Sequence, residues 1–279
     1  RLFIVLVGIS VLAGCSKKQE PVTISTPPEG PAPTETRAPE AGKTLTFAVV
    51  PKLLDNPVFK TAKAGAEAAA AEMGGIQVEW VAPVKADAAE QASLVESLIA
   101  RKVDGISISC NDPQALKRVI DKAVDAGIPT ITFDSDSPKS KRAAFYGTDN
   151  YKGGLKAAEL LAAEMKGKGS VALLTGVLGA DNLETRIRGF KDGLKKHPGI
   201  KIITTVACND DMAESVRQLK DVNRAHPDLG GWFLVGGWPL FVAPPGGLDG
   251  VKPGQVKVVS FDALEPQLKY VEQGYVQAL

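Results

Sequence analysis

From Thr44 onward, short runs rich in apolar and β-branched residues alternate with longer amphipathic stretches. The runs predict nine strands, at Leu45 to Val50, Gln77 to Val81, Gly105 to Ser109, Thr130 to Phe133, Ala144 to Tyr146, Ser170 to Thr175, Lys201 to Val206, Gly231 to Val235 and Val256 to Phe261. The clearest helix carries Leu116, Val119, Ile120, Ala123 and Val124 on one face and ends at Gly127, two residues before Pro129. Another puts Leu155, Ala158, Ala162 and Met165 on one stripe before Gly167. Strand and helix alternating in this way predict an α/β fold, with parallel sheets covered by helices on both faces. The stretch is longer than one such sheet needs, and Tyr146 to Asn150 near its middle is turn-rich. Two lobes are therefore expected, at residues 44–147 and 148–279.

The chain before Thr44 follows other rules. Leu2 to Leu12 is an apolar run broken only by Gly8 and Ser10, and Ala13, Gly14 and Cys15 follow it. A bilayer span takes roughly 20 apolar residues, so residues 1–15 read as a signal peptide. Leu12, Ala13, Gly14 and Cys15 resemble the lipobox of bacterial lipoproteins, which implies a diacylglyceryl group on the Cys15 thiol. Residues 16–43 contain Pro21, Pro27, Pro28, Pro31, Pro33 and Pro39 and almost no large apolar side chain. Such a segment buries too little surface to offset its chain entropy and reads as a disordered tether. An anchored, tethered protein is expected in the periplasm or on the outer surface of a bacterium, held to the membrane by its lipid. Only Arg1 precedes the apolar run, and the sequence stops within the apolar stretch Tyr275 to Leu279, so both ends are expected to be clipped.

Composition narrows the function. Lysine and arginine number 33 against 32 acidic residues, a net charge of +1, so no basic field attracts nucleic acid. Cys15, Cys110 and Cys208 are far apart and supply neither a disulfide framework nor a zinc cluster. No spaced acidic loop suggests calcium, and no glycine-rich dinucleotide or phosphate loop occurs, so neither a metal nor a cofactor is expected. His197 and His226 each precede proline near turns, away from any serine or cysteine arranged as a nucleophile. These features argue against an enzyme, although the acid pairs Asp134 with Asp136 and Asp210 with Asp211 leave glycoside hydrolysis as an alternative.

In open parallel sheets, ligands bind beyond the carboxyl ends of the strands. There the sequence places Asn56 and Phe59, then Asn111 and Asp112, then Asp134, and in the second half Asn182 and Arg186, Asn209 to Asp211, Trp238 and Asp262. Acids accept hydrogen bonds from hydroxyls, arginine donates a planar fork, asparagine does both, and an aromatic ring covers the apolar face of a sugar. The set suits a small neutral polyol. Each Asx residue also has a plainer reading as a helix N-cap, and Asn56 and Asp112, each before proline, fit it. Trp238 and Phe59 equally fit packing roles, and Arg186 a solvated helix position. Cys110 and Cys208 both follow strands, which places both toward the gap between the lobes. Free thiols are expected, because a bridge there would lock the two halves together.

Asp55-Asn56-Pro57-Val58-Phe59, Phe133 with Asp134, Gly147-Thr148-Asp149-Asn150 with Gly153 and Gly154, Arg186 before Gly189 and Phe190, and Phe261 with Asp262 occur in this order. The series resembles the type I periplasmic sugar-binding proteins of the ribose-binding family, from about Thr44 to the end. The resemblance implies two doubly wound lobes joined by a hinge, with a sugar held between them for an ABC transporter permease. It implies that Asn56, Phe59 and Asp134 contact the sugar from the first lobe, and Asn182, Arg186 and Asp262 from the second, in a monomer. Two departures stand out. Ser135 occupies the place of an arginine in the ribose binders. Gly236-Gly237-Trp238-Pro239 replaces an Asn-Asp pair, exchanging a polar contact for a ring. The family's final return segment into the first lobe is missing from this sequence. A sensor subunit presenting sugar or a quorum signal to a membrane kinase remains an alternative; a transcriptional regulator is disfavoured by the lipobox and tether.

Overall fold

The computed structural model describes residues 42–279. The apolar run, Cys15 and most of the proline-rich segment lie outside the described residues. Two parallel sheets account for all nine predicted strands. The first contains β1 (Leu45–Val50), β2 (Ile76–Trp80), β3 (Gly105–Ile108), β4 (Thr130–Phe133) and β5 (Phe145–Tyr146), in the order β2-β1-β3-β4-β5. The second contains β6 (Lys168–Thr175), β7 (Gly199–Ala207), β8 (Gly231–Leu234) and β9 (Lys257–Val259), in the order β7-β6-β8-β9. Both orders are doubly wound and reverse direction beside their first strand, at β1 and at β6, which opens a crevice at the strands' carboxyl ends. The apolar stretch at the end of the chain runs beside β9, with Ala278 bridged to Val259.

The connecting helices are α1 (Pro57–Met73), α2 (Ala88–Ala100), α3 (Pro113–Asp125), α4 (Asn150–Glu164), α5 (Asp181–Leu194), α6 (Met212–Ala225) and α7 (Glu265–Glu272). Strand-end polar residues start several of them. Asn56 caps α1 by accepting from the Val58 N–H, and Asp112 caps α3 through the Gln114 and Ala115 N–H groups. Asp149 and Asp211 cap α4 and α6. Each cap satisfies backbone donors that the helix leaves unpaired.

The sheets carry separate cores. Val50, Leu98, Ile106, Ile108, Leu116 and Ile120 fill the first. The second is larger, and in it Phe190 stacks on Phe233 with centroids 4.2 Å apart. Cys110 belongs to the first core and Cys208 to the second, both fully buried free thiols. The expectation that they face the gap between the lobes is corrected: each side chain is small and apolar enough to be packed into the core of its own sheet. Burial pushes both thiols well above the usual cysteine range, so they stay protonated and inert.

Candidate ligand-binding site

The carboxyl ends of the two sheets enclose one cavity of about 40 Å³. Asn56, Phe59 and Asp134 reach it from the first sheet's side, and Asn182, Arg186, Trp238 and Asp262 from the second. These seven therefore border the same space, whereas Asn111, Asp112, Asn209 and Asp211, also named beyond the strands, do not line it.

Asp134 follows β4 with φ of 55°, and Asp262 follows β9 with φ of 70°. Few residues other than glycine adopt this left-handed conformation, and those that do cluster at ligand clamps. The Asp134 carboxylate accepts from Ser109 Oγ at 2.6 Å and from Asn182 Nδ2 at 3.0 Å. Burial pushes the Asp262 carboxyl above the ordinary range, partly offset by Arg186.

Arg186 is held from three sides. Its Nε donates to Asn150 Oδ1 at 2.9 Å, its Nη1 donates to the Val235 carbonyl at 2.9 Å, and its guanidinium lies 4.0 Å over the centre of the Phe261 ring. It is 7% exposed, and burial lowers its pKa. Among the described residues no carboxylate comes within ion-pair distance of it, so its second terminal nitrogen is free to donate at the cavity.

The plain readings hold alongside the functional ones at two positions. Asn56 spends its oxygen on the α1 cap but keeps its amide donors at the cavity wall. Phe59 is 4% exposed and packs edge-on against Phe133, presenting only part of its ring. Trp238, 5% exposed, starts a short 3₁₀ turn and lays its six-membered ring against Gly176 and Gly236. Ser135 is completely buried with its hydroxyl unpartnered, and it does not line the cavity.

The sequence reading missed Lys52 and Phe241, while Asp210, named there among the residues beyond the seventh strand, also lines the cavity. Lys52 lies two residues beyond β1 and is 2% exposed; its Nζ donates to Asn182 Oδ1 at 2.9 Å and stands 3.8 Å from Asp134 Oδ2. Its backbone carbonyl accepts from Asn111 Nδ2, and Asn111 is fixed in turn by the buried Gln91. A search for Asx and arginine passes over a lysine, whose usual place is in solvent. The signal available was position, directly after an apolar strand. Among the described residues, no three His, Cys, Asp or Glu side chains are grouped as a metal site.

Residues 47–279 match the family model described as periplasmic binding protein domain. The chain belongs to the type I periplasmic sugar-binding protein family. This family's proteins bind solutes in the periplasm, so the chain is a periplasmic solute-binding protein and not an enzyme. Three relatives illustrate the likeness. The D-ribose/D-allose-binding protein of Pseudomonas aeruginosa is 31% identical over 80% of this chain and 73% of that one. A solute-binding protein of Burkholderia graminis, solved in complex with D-arabinose, is 38% identical and superposes with a TM-score of 0.77 over 85% of this chain and 82% of its own. A periplasmic binding protein of Actinobacillus succinogenes with bound D-allose is 29% identical, with a TM-score of 0.72 over 83% of each chain.

Proposed function

We propose that this periplasmic binding protein is the receptor of an ABC-type carbohydrate importer, taking a small neutral pentose, hexose or cyclitol into the cleft. The observation that carries the reading is the convergence of Asp134, Asp262 and Arg186 on one cavity walled by Phe59 and Trp238. Carboxylates accept from sugar hydroxyls, the free edge of Arg186 donates, and the rings cover the sugar's apolar face. Asn56 and Asn182 add an amide from each side. Ligand contacts from both lobes favour the closed hinge, and the closed form is what the permease recognises. The relatives named for ribose, allose and arabinose support this class of ligand. The lipobox-like Leu12 to Cys15 supports a lipid anchor on Cys15, with residues 16–43 as its tether. The folded body, with lobes at residues 44–147 and 148–279, is proposed to act as a monomer.

Isothermal titration of the full chain with D-ribose, D-arabinose, D-allose and myo-inositol tests the reading. Saturable binding of one sugar per chain is expected for at least one of them, and no heat from any would reject it.

A further inference from the structure

Beside the sugar cavity the two lobes meet at a charged seam. On the second lobe it is formed by residues 179–182, where the chain enters α5. Asn182 accepts from Lys52 and donates to Asp134, both of the first lobe. A Cβ on Gly179 would lie 3.5 Å from Asp112 Oδ2, the oxygen that the α3 cap leaves over. Asp181 stands between these two contacts. None of Asp112, Asp136, Arg142 and Asp181 lines the sugar cavity, so the seam is separate from it.

The first lobe's charges here are largely matched among themselves. Asp136, 6% exposed, accepts from Arg142 Nε and Nη2, from Thr132 Oγ1 and from the Ser137 N–H. Against the cost of burial, these bonds hold its carboxyl below the usual range. Lys52 and Arg142 still stand against three acids, Asp112, Asp134 and Asp136, before Asp181 is added. Asp181 is half-buried and, among the described residues, has no hydrogen bond or ion pair of its own. Burial pushes its carboxyl up and Asp136 adds to the rise, while Arg188 of its own helix, Lys52 and Arg142 oppose it. The protonated Cys110 thiol also lies within reach of its charge. The positive end of α5 favours an ionised Asp181 in any arrangement of the lobes, so it does not enter the difference between open and closed forms.

We propose that this seam makes lobe closure proton-linked: ionised Asp181 resists approach to Asp112 and Asp136, and its protonation removes the resistance, so sugar is held more tightly in acid. The proposal rests on the sugar-binding reading above. Closing takes water from the Asp181 carboxylate and brings it against charges of its own sign without supplying a partner; opening returns it to solvent. The closed form therefore takes a proton from the buffer more readily than the open one, and sugar binding carries a fraction of a proton with it. Because Asp181 does not border the cavity, the effect is the same for every sugar.

The test is calorimetric titration of the full chain, as wild type, Asp181→Asn and Asp181→Ser, with D-ribose, D-arabinose and D-allose between about pH 4.5 and 7.5. Buffers of differing ionisation heat count the protons taken up. Wild type is expected to take up protons on binding, and both variants fewer. Near the upper end of that range both variants are expected to bind each sugar about threefold or more tightly than wild type, by one common factor, and the gain should shrink steadily toward the lower end. Asp181→Ser keeps a small polar group at the helix start and stands in should asparagine disturb the turn. No gain, a gain equal at every pH, or one that differs between sugars overturns the proposal and leaves the sugar-binding reading intact. Wild type that binds none of the three sugars overturns both.

Discussion

At the scale of single residues, the cleft is built from side chains placed against their ordinary preferences. Arg186 is buried with no carboxylate in ion-pair contact among the described residues, and its geometry is set by Asn150, the Val235 carbonyl and Phe261. Lysine offers neither the planar fork nor the stacking face. Arg186→Lys should therefore weaken sugar binding by about 2–3 kcal/mol, read by titration. Asp210 and Asp262 bear the opposite burden, since burial raises both carboxyls. Between the ordinary value near about 4 and the raised native one, the folded state holds more protons than the unfolded state. Stability of the sugar-free protein should therefore fall as pH rises through that window, and Asp210→Asn should flatten the fall and melt higher near neutral pH. A series of thermal denaturations between about pH 4.5 and 7.5 checks both the slope and its loss. Asp134 and Asp262 were legible because an acid just beyond an apolar run ending in Phe has few structural reasons to be there, and Arg186 through its place in the family resemblance. Lys52 was not, since a lysine after a strand has an ordinary explanation in solvent; Asp210 was named among the strand-end acids but not told apart from its capping neighbour Asp211.

Among elements, the pairing of α4 with α5 sets the second half of the site. A Cβ on Gly154 would sit 2.1 Å from the Arg186 carbonyl oxygen, and one on Gly189 would sit 2.2 Å from that of Tyr151. The helices meet backbone to backbone, which brings Asn150 at the start of α4 to the Arg186 guanidinium. Gly153 leaves room for the Phe261 ring, which a Cβ would approach to 2.9 Å. Gly154→Ala must push the helices apart; a loss of about 1–3 kcal/mol of stability is expected, together with weaker sugar binding. Chemical denaturation and titration of the same variant would show both, and unchanged values would mean the helices separate freely. The glycine pair was visible in the sequence as part of a motif, but its purpose was not, because a close helix crossing has no periodicity of its own. The strands were legible throughout, as short apolar and β-branched runs stand out from the longer amphipathic helices. Their ends were less so: β9 stops at Val259, where the expected run continued to Phe261, since Phe261 turns away to lie under Arg186.

For the whole molecule, the two sheets meet through a short polar chain. Lys52 from the first side donates to Asn182 of the second, and Asn182 donates back to Asp134. These three groups already satisfy one another across the cavity, so an entering sugar must take over their bonds and the halves must part to admit it. The doubly wound pattern and the division into two halves could be read from the sequence, because alternating strands and helices dictate them. The bridge could not, as it joins residues 130 positions apart. The central claim is that one cleft gathers acids and an arginine from both halves around a sugar. A crystal structure of the chain grown with D-arabinose, or with whichever tested sugar binds tightest, addresses it directly. The account predicts the sugar between the sheets, its hydroxyls bonded to Asp134, Asp262 and Arg186 and its apolar face against Phe59 or Trp238. A sugar seated elsewhere, or one in the cleft that leaves those three side chains without a ligand contact, would contradict it.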